Sequence, residues 1–164
     1  MSPVRFLVAV VAATAIFGIA LDLVTAHVAV EYFTVHHPHV IDSDSPIAMA
    51  LIWGVGASWW FGLGAGFLLW WVNRRRPQPV AWSQIFGWIV RALAWLWALM
   101  MGILLAVYGL AGLVPMHQRG PTFEHDRRLM AVALTHATEY VLGGVIVVIL
   151  LVKIVRASKV RTAP

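Results

Sequence analysis

The sequence predicts an all-α integral membrane protein, an up-down bundle of four transmembrane helices with both termini in the cytoplasm. One observation is composition: 61% of the residues are apolar and 12% are charged, whereas soluble domains carry about a quarter charged residues. Another is the mean hydropathy of +0.83, which excludes both a soluble globule and a disordered chain. Zero cysteines leave no disulfide, thiolate metal site or cysteine nucleophile.

Four apolar segments exceed the about 20 residues that cross a bilayer core of about 30 Å. They are predicted, within one transmembrane domain, at residues 4–34, 46–72, 82–114 and 127–155. Pro38, Pro77 and Pro115 lie where a helix should stop. In the second segment, Gly62, Gly64 and Gly66 are predicted to let a neighbouring helix approach closely.

The first segment has a competing interpretation. Arg5, the apolar run after it and Val24-Thr25-Ala26 resemble a signal peptide with its cleavage site. Cleavage would leave three spans. The apolar character continues past Ala26, so four spans are predicted.

Lysine and arginine predict the orientation. The side predicted to be cytoplasmic holds Arg5, Arg74, Arg75, Arg76, Lys153, Arg156, Lys159 and Arg161. The other side holds Arg119, Arg127 and Arg128. By the positive-inside rule the side with eight basic residues is cytoplasmic, so both termini are predicted inside, and the expected location is the bacterial inner membrane. The same rule also accounts for the basic charge, so the lipid bilayer is the expected partner and nucleic acid is not.

Histidines and carboxylates are predicted to share the outer half of the molecule and its outer loops. The histidines are His27, His36, His37, His39, His117, His125 and His136. The acidic residues are Asp22, Glu31, Asp42, Asp44, Glu124, Asp126 and Glu139. Because acidic residues contribute little to membrane topology, this clustering requires another cause.

Two pairs of these residues lie inside the predicted spans. His27 and Glu31 are four residues apart and His136 and Glu139 are three apart, so each pair shares a helix face. The helical rise puts His27 and His136 about 10 and 12 Å below the outer surface, and Asp22 and Glu139 about 18 and 17 Å below it. An ionisable group at such depth costs at least ~2.5 kcal/mol against lipid, so these groups should face one another, water or a metal ion.

The residue types predict a divalent metal ion, Zn or Fe, near the periplasmic face. The expected ligands are Glu31 and His136 first, then Glu139 and His37, then His27. His37 is included because Pro38 favours an extended geometry that can direct it back to the helix ends. The order of the ligands differs from the repeated Glu-x-x-His of di-iron bundles, so a single metal is expected.

A metal-bound water with a carboxylate as base would make the protein a metal-dependent membrane enzyme. Its substrate would be a lipid-soluble or periplasmic small molecule, and hydrolysis and oxidation both stay open. Whether the protein is an enzyme is left undecided by the sequence, as are a homo-oligomer and a larger membrane complex. All of this requires the first and fourth segments to be neighbours.

A resemblance to a known family is carried by two segments of the chain. They are Glu31-Tyr32-Phe33-Thr34-Val35-His36-His37-Pro38 and Trp53-Gly54-Val55-Gly56-Ala57-Ser58-Trp59-Trp60. Together they resemble a family of uncharacterised bacterial four-helix integral membrane proteins, in which Glu-Tyr-Phe-Thr-x-x-His-Pro ends the first helix. The resemblance implies the four-helix architecture and draws attention to Glu31, His37 and His136. An amide often stands at the position of His27 in that family, which implies an accessory role for His27. The resemblance implies no reaction.

Two other interpretations remain open. His27 and His136 could be axial ligands of a b-type haem in an electron-transfer protein, with Arg127 and Arg128 at the propionates. Alternatively, the histidines and carboxylates form a structural polar network in a non-catalytic membrane subunit or transporter.

Overall fold

The computed structural model describes residues 2–38, 40–115 and 120–160, with Lys159 and Val160 described by backbone alone. Of the residues discussed above, His39, His117, Arg119 and Arg161 lie outside the described residues. The described chain is helical and contains α1 (Pro3–Val28), α2 (Glu31–Thr34), α3 (Pro46–Arg74), α4 (Trp82–Ala111) and α5 (Phe123–Val160).

Four of these helices, α1, α3, α4 and α5, are long and apolar enough to cross a membrane. This confirms the predicted all-α class and the prediction of four helices able to cross a membrane. Large apolar side chains lie on the outer surface of the bundle; Trp95 is 76% exposed and Leu105 is 71% exposed. A surface this apolar is suited to lipid contact.

Local signals in the sequence account for two helix starts. The hydroxyls of Ser2 and Ser45 accept backbone N–H groups of the first turns of α1 and α3. A proline follows each serine, where its fixed φ fits and its missing N–H has no partner to lose. These signals place the start of α3 at Pro46, the residue at which the second segment was predicted to begin.

The first predicted segment continued through Thr34, but α1 ends at Val28. Ala29, with φ −150° and ψ 89°, breaks the helix, and the short helix α2 begins at Glu31. Neither proline nor glycine marks this break in the sequence. Its consequence is that Tyr32 and Phe33 are carried on a separate turn, where Phe33 is 2% exposed.

Helices α1 and α3 pack closely along small residues of α3 spaced four apart: Gly54, Ser58, Gly62 and Gly66. We call these residues the small-residue face. A Cβ added to Gly54 would lie 2.5 Å from the backbone nitrogen of Ile19, and one added to Gly66 would lie 3.3 Å from the side chain of Val10. Gly64 has nothing within 4 Å, so its predicted place on this face is wrong; it lies two residues, about 200°, around the helix from Gly62.

The bundle has two chemically different ends. The histidine end carries His125 beside Glu31, and the arginine end carries Arg76 beside Arg156. At the histidine end, α2 meets α5 through Glu31 and His125, and α4 meets α5 through Tyr108 and Glu124. At the arginine end, the rings of Phe6 and Trp82 join α1 to α4 at 4.9 Å, and Lys153 lies 4.3 Å from the ring centre of Trp88. Buried apolar side chains fill the bundle near this end, including Phe6, Leu69, Ile85 and Ile154.

Candidate functional site

The candidate site is built around His136, a buried residue of α5 whose two ring nitrogens both face polar atoms. Its Nε2 lies 3.2 Å from Oγ1 of Thr25 and 3.7 Å from Oδ1 of Asp22, both on α1. Its Nδ1 lies 3.3 Å from Oε2 of Glu139, one turn further along α5. Helices α1 and α5, which contain the first and fourth predicted segments, are therefore in contact at this level.

Helix geometry explains why these four residues meet. Asp22 and Thr25 are three residues apart on α1, and His136 and Glu139 are three apart on α5, so each pair lies on one face. Asp22 is 4% exposed and Thr25 is fully buried. The Thr25 hydroxyl lies 3.3 Å from the Leu21 carbonyl, to which it can donate, and 3.2 Å from Nε2 of His136.

Both ring nitrogens of His136 face a carboxylate oxygen. Glu139 and Asp22, when ionised, are acceptors only. A hydrogen on either ring nitrogen of His136 would therefore face a carboxylate oxygen, that of Asp22 at Nε2 or that of Glu139 at Nδ1. With a metal ion, Nε2 would present its lone pair to the ion and keep the same direction towards Asp22.

Aromatic rings from α2 cover this cluster. The Tyr32 ring is stacked on the ring of His136, with 5.0 Å between centroids and 6° between planes, and Phe33 meets His136 edge-on at 5.7 Å. Burial raises the pKa of Tyr32 above its ordinary value near 10, and the carboxylates of Asp22 and Glu139 raise it further. The break after α1 is what turns these rings over the site.

A cavity of about 50 Å³ lies beside the cluster. The polar side chains that line it are Asp22, Tyr32, His37, Ser58, His136, Glu139 and Tyr140. A cavity of this size with several polar partners can hold water or a small ion.

His37 reaches the same cavity from the segment that follows α2. Its Nδ1–H donates to the Tyr32 carbonyl at 2.8 Å, which leaves the lone pair of Nε2 unused by that bond. The ring packs against Trp53 at 4.7 Å and against Tyr32 at 4.8 Å. Phe33 lies 5.9 Å from the same ring, so one hydrogen bond and three aromatic neighbours set the orientation of His37.

The other two predicted ligands lie elsewhere. Glu31 is 3.8 Å from Nδ1 of His125 and keeps 36% of its side chain exposed. His125 is about 16 Å along the axis of α5 from His136, at ~1.5 Å per residue. His27 is exposed, and its Nδ1 donates to the Leu23 carbonyl at 2.6 Å. The structure thus brings together His37, His136 and Glu139, and it places Glu31 and His27 outside the lining of the cavity.

Asp22, Thr25, Tyr32 and Ser58 belong to the site but were not predicted to bind the metal. For Asp22 the signal was depth, because its predicted depth of about 18 Å matches the about 17 Å of Glu139. For the other three, nothing in the local pattern distinguishes them from packing residues. Within the part of the chain that the structure describes, no three His, Asp or Glu side chains are grouped closely enough to form a ready-made metal site.

An apolar cavity of about 60 Å³ adjoins the polar one, and both are lined by Ser58, Glu139 and Tyr140. It continues between the helices to Leu69 and Leu150, towards the arginine end. Between Ser58 and Leu69 this path runs about 16 Å along α3. The polar cluster therefore has an apolar extension inside the bundle.

Comparisons of the chain with protein-family models, with curated proteins and with solved structures find no match.

Proposed function

We propose that the protein is a multi-pass bacterial inner-membrane protein that binds one divalent metal ion, Zn or Fe, in the polar cavity. The four long helices run up and down with both termini in the cytoplasm, which puts the cavity near the periplasmic face. One observation carries the proposal: Asp22, His37, His136 and Glu139 line a single cavity of about 50 Å³ inside a bundle of membrane-crossing helices. Ionisable groups inside a membrane are functional more often than structural.

The charge of the site favours a divalent cation. Asp22 and Glu139 carry two negative charges when ionised, and His136 can neutralise one of them at most. An unbalanced charge in a buried site is strongly unfavourable. A divalent cation with neutral histidines balances both carboxylates.

The distances suggest a role for each residue. Two ligand atoms at ~2.0–2.1 Å from a tetrahedral zinc ion lie about 3.4 Å apart, and Nε2 of His136 and Oδ1 of Asp22 are 3.7 Å apart. Glu139 faces the opposite ring nitrogen, so it cannot share that ion without rotating; it fits the role of a carboxylate that orients a ligating histidine. Nε2 of His37 is the third ligand in this proposal.

The fourth position is left for water, which a bound metal makes more acidic. The apolar cavity next to Glu139 and Tyr140 suits a lipid-soluble small molecule as the substrate class. A metal-dependent membrane enzyme is thus the activity that the arrangement fits best.

A b-type haem fits less well. His27, the second axial ligand in that interpretation, is exposed and lies outside the lining of the cavity. The cavity of about 50 Å³ is small beside the about 300–1,000 Å³ of pockets that hold larger ligands. The polar-network interpretation makes a different prediction, namely that no metal is retained.

The test is metal analysis of the detergent-purified protein, prepared without chelator, by inductively coupled plasma mass spectrometry and absorption spectroscopy. We expect about one metal ion per chain, lost in His136→Ala and Asp22→Asn. Glu139→Gln should weaken metal affinity about 10–100-fold, the usual effect of removing a carboxylate that orients a ligand. His27→Gln is the matched control on α1 and should retain the metal.

Wild-type protein that holds no metal, and takes up neither added Zn nor added Fe, would contradict the proposal and leave the polar network. A metal content that is equal in His136→Ala and in wild type would also contradict it. A Soret absorption band that is lost with His27→Gln would establish the haem interpretation instead.

A further inference from the structure

A groove at the arginine end, distinct from the polar cavity, combines positive charge with an apolar wall. It is open to the outside, has a volume of about 400 Å³ and is lined by Val72, Arg76, Leu151, Val152, Val155 and Arg156. The arginines come from two different places, the segment after α3 and the last turns of α5. Four of the six lining residues are valine or leucine.

Arg76 is held in position by a short hydrogen-bonded segment. The side-chain amide of the fully buried Asn73 donates to the Val80 carbonyl and accepts from the Val80 N–H, both at 2.9 Å. The backbone N–H of Arg76 donates to the Asn73 carbonyl at 3.1 Å. The connection between α3 and α4 is thus a fixed turn that presents Arg76 to the groove.

The guanidinium of Arg76 has a hydrogen-bond donor without a partner. Its Nε is buried and has no hydrogen-bond partner among the described residues. A buried N–H without a partner is unfavourable by itself, and Arg76 would turn this N–H towards the groove to meet an incoming oxygen. The nearest acidic side chain along α5 is Glu139, about 25 Å from Arg156 along the helix axis, so it does not compete for this end of the bundle.

The neighbouring arginines indicate the level of the groove in a bilayer. The guanidinium of Arg75 lies 3.9 Å from the ring centre of Trp71, and that of Arg74 lies 4.6 Å from the ring centre of Trp70. Tryptophan and arginine together are typical of the membrane–water interface. Headgroup phosphates occupy this level, and acyl chains begin below it.

We propose that the groove binds an anionic phospholipid, with its phosphate on Arg76 and Arg156 and an acyl chain along Val72, Leu151, Val152 and Val155. Guanidinium groups bind phosphate oxygens strongly and in defined geometry. Basic pockets between transmembrane helices on the cytoplasmic side are typical sites for such lipids. A free phosphate ion would use the arginines but not the apolar wall. The proposal does not depend on the metal site.

The test is native mass spectrometry of the full chain in detergent, titrated separately with phosphatidylglycerol, phosphatidylcholine and inorganic phosphate. We expect phosphatidylglycerol to bind about tenfold or more tightly than phosphatidylcholine, because only its headgroup leaves the phosphate charge unbalanced. Arg76→Gln and Arg156→Gln should each reduce phosphatidylglycerol affinity about tenfold. Arg75→Gln is the matched control, since it removes the same charge from the same turn outside the groove, and its affinity should stay within about twofold of wild type.

Three results would overturn the inference. Equal losses in Arg75→Gln and Arg76→Gln would mean that overall charge attracts the lipid. Equal affinity for the two phospholipids would remove the role of the arginines. Competition by inorganic phosphate as effective as that of phosphatidylglycerol would show an anion site without a lipid chain. Because Arg156 is exposed at the end of α5, its variant keeps the test valid even where Arg76→Gln fails to fold.

Discussion

Replacing Gly54 by alanine tests the close contact of α1 with α3. The new Cβ would lie 2.5 Å from the backbone nitrogen and 2.6 Å from the Cα of Ile19. Ordinary contacts between such atoms are near 3.5–4.0 Å, and backbone atoms cannot rotate away as a side chain can. The two helices must therefore separate locally by about 1 Å, and overpacking of this kind costs about 1–3 kcal/mol.

Gly56→Ala is the control, because Gly56 is two residues away on the same helix and has nothing within 4 Å. Alanine improves helix propensity at both positions by up to about 1 kcal/mol, so the difference between the two variants isolates packing. We expect Gly54→Ala to be less stable than Gly56→Ala by about 1–3 kcal/mol. The assay is unfolding of detergent-solubilised protein by added SDS, followed by far-ultraviolet circular dichroism.

Gly54→Ala should also change the geometry of the polar cavity. Gly54 contacts Gly18 and Ile19, about one turn before Asp22. Separation of α1 from α3 would shift Asp22 relative to His136 and lower the metal content of Gly54→Ala. If the two alanine variants unfold within about 0.5 kcal/mol of each other, the helices are not in the close contact described here.

Two further predictions concern single side chains. Asn73→Ala should lower the free energy of unfolding by about 1–3 kcal/mol, because it leaves the buried N–H and C=O of Val80 without partners; the same SDS titration measures it, and wild-type stability would contradict it. The raised pKa of Tyr32 means that the folded state keeps the tyrosine proton longer than the unfolded state does. Its contribution to stability is complete below about pH 10 and is lost as the pH rises beyond that value. Tyr32→Phe should therefore lose stability less steeply than wild type between pH ~9 and ~11, and equal slopes would refute this.

Hydropathy predicts the helices well because a membrane-crossing helix needs a long apolar run whatever its neighbours are. The proline at position 46 also marks the first residue of α3. The break at Ala29 could not be predicted, since its cause is tertiary: α2 turns Tyr32 and Phe33 over His136. Sequence patterns detect proline and glycine breaks, and this segment contains neither.

The site shows the same limit. Its histidine and carboxylate residues were predicted from the sequence, and His37, His136 and Glu139 do line one cavity. The choice of His27 over Asp22 depended on which face of α1 meets α5, and the two residues are about 140° apart around a helix. Because α1 is apolar on all sides, its hydrophobic pattern does not indicate the inward face. Glu31 was paired with His136 on the assumption of a continuous helix, and the break at Ala29 removes that assumption.

The small-residue face has a consequence for how the chain is assembled in the membrane. Thr25 and His136, which meet in the finished bundle, are 111 residues apart in sequence. At about 5–20 residues per second, a ribosome needs roughly 5–20 s to make the intervening chain. During this interval Asp22 has neither His136 nor Glu139 beside it, and lipid would surround α1 unless another helix had already docked. Because α3 is made early and fits α1 closely along Gly54, Ser58 and Gly62, this hairpin can form first and give Asp22 a protein neighbour while the rest of the chain is still being synthesised.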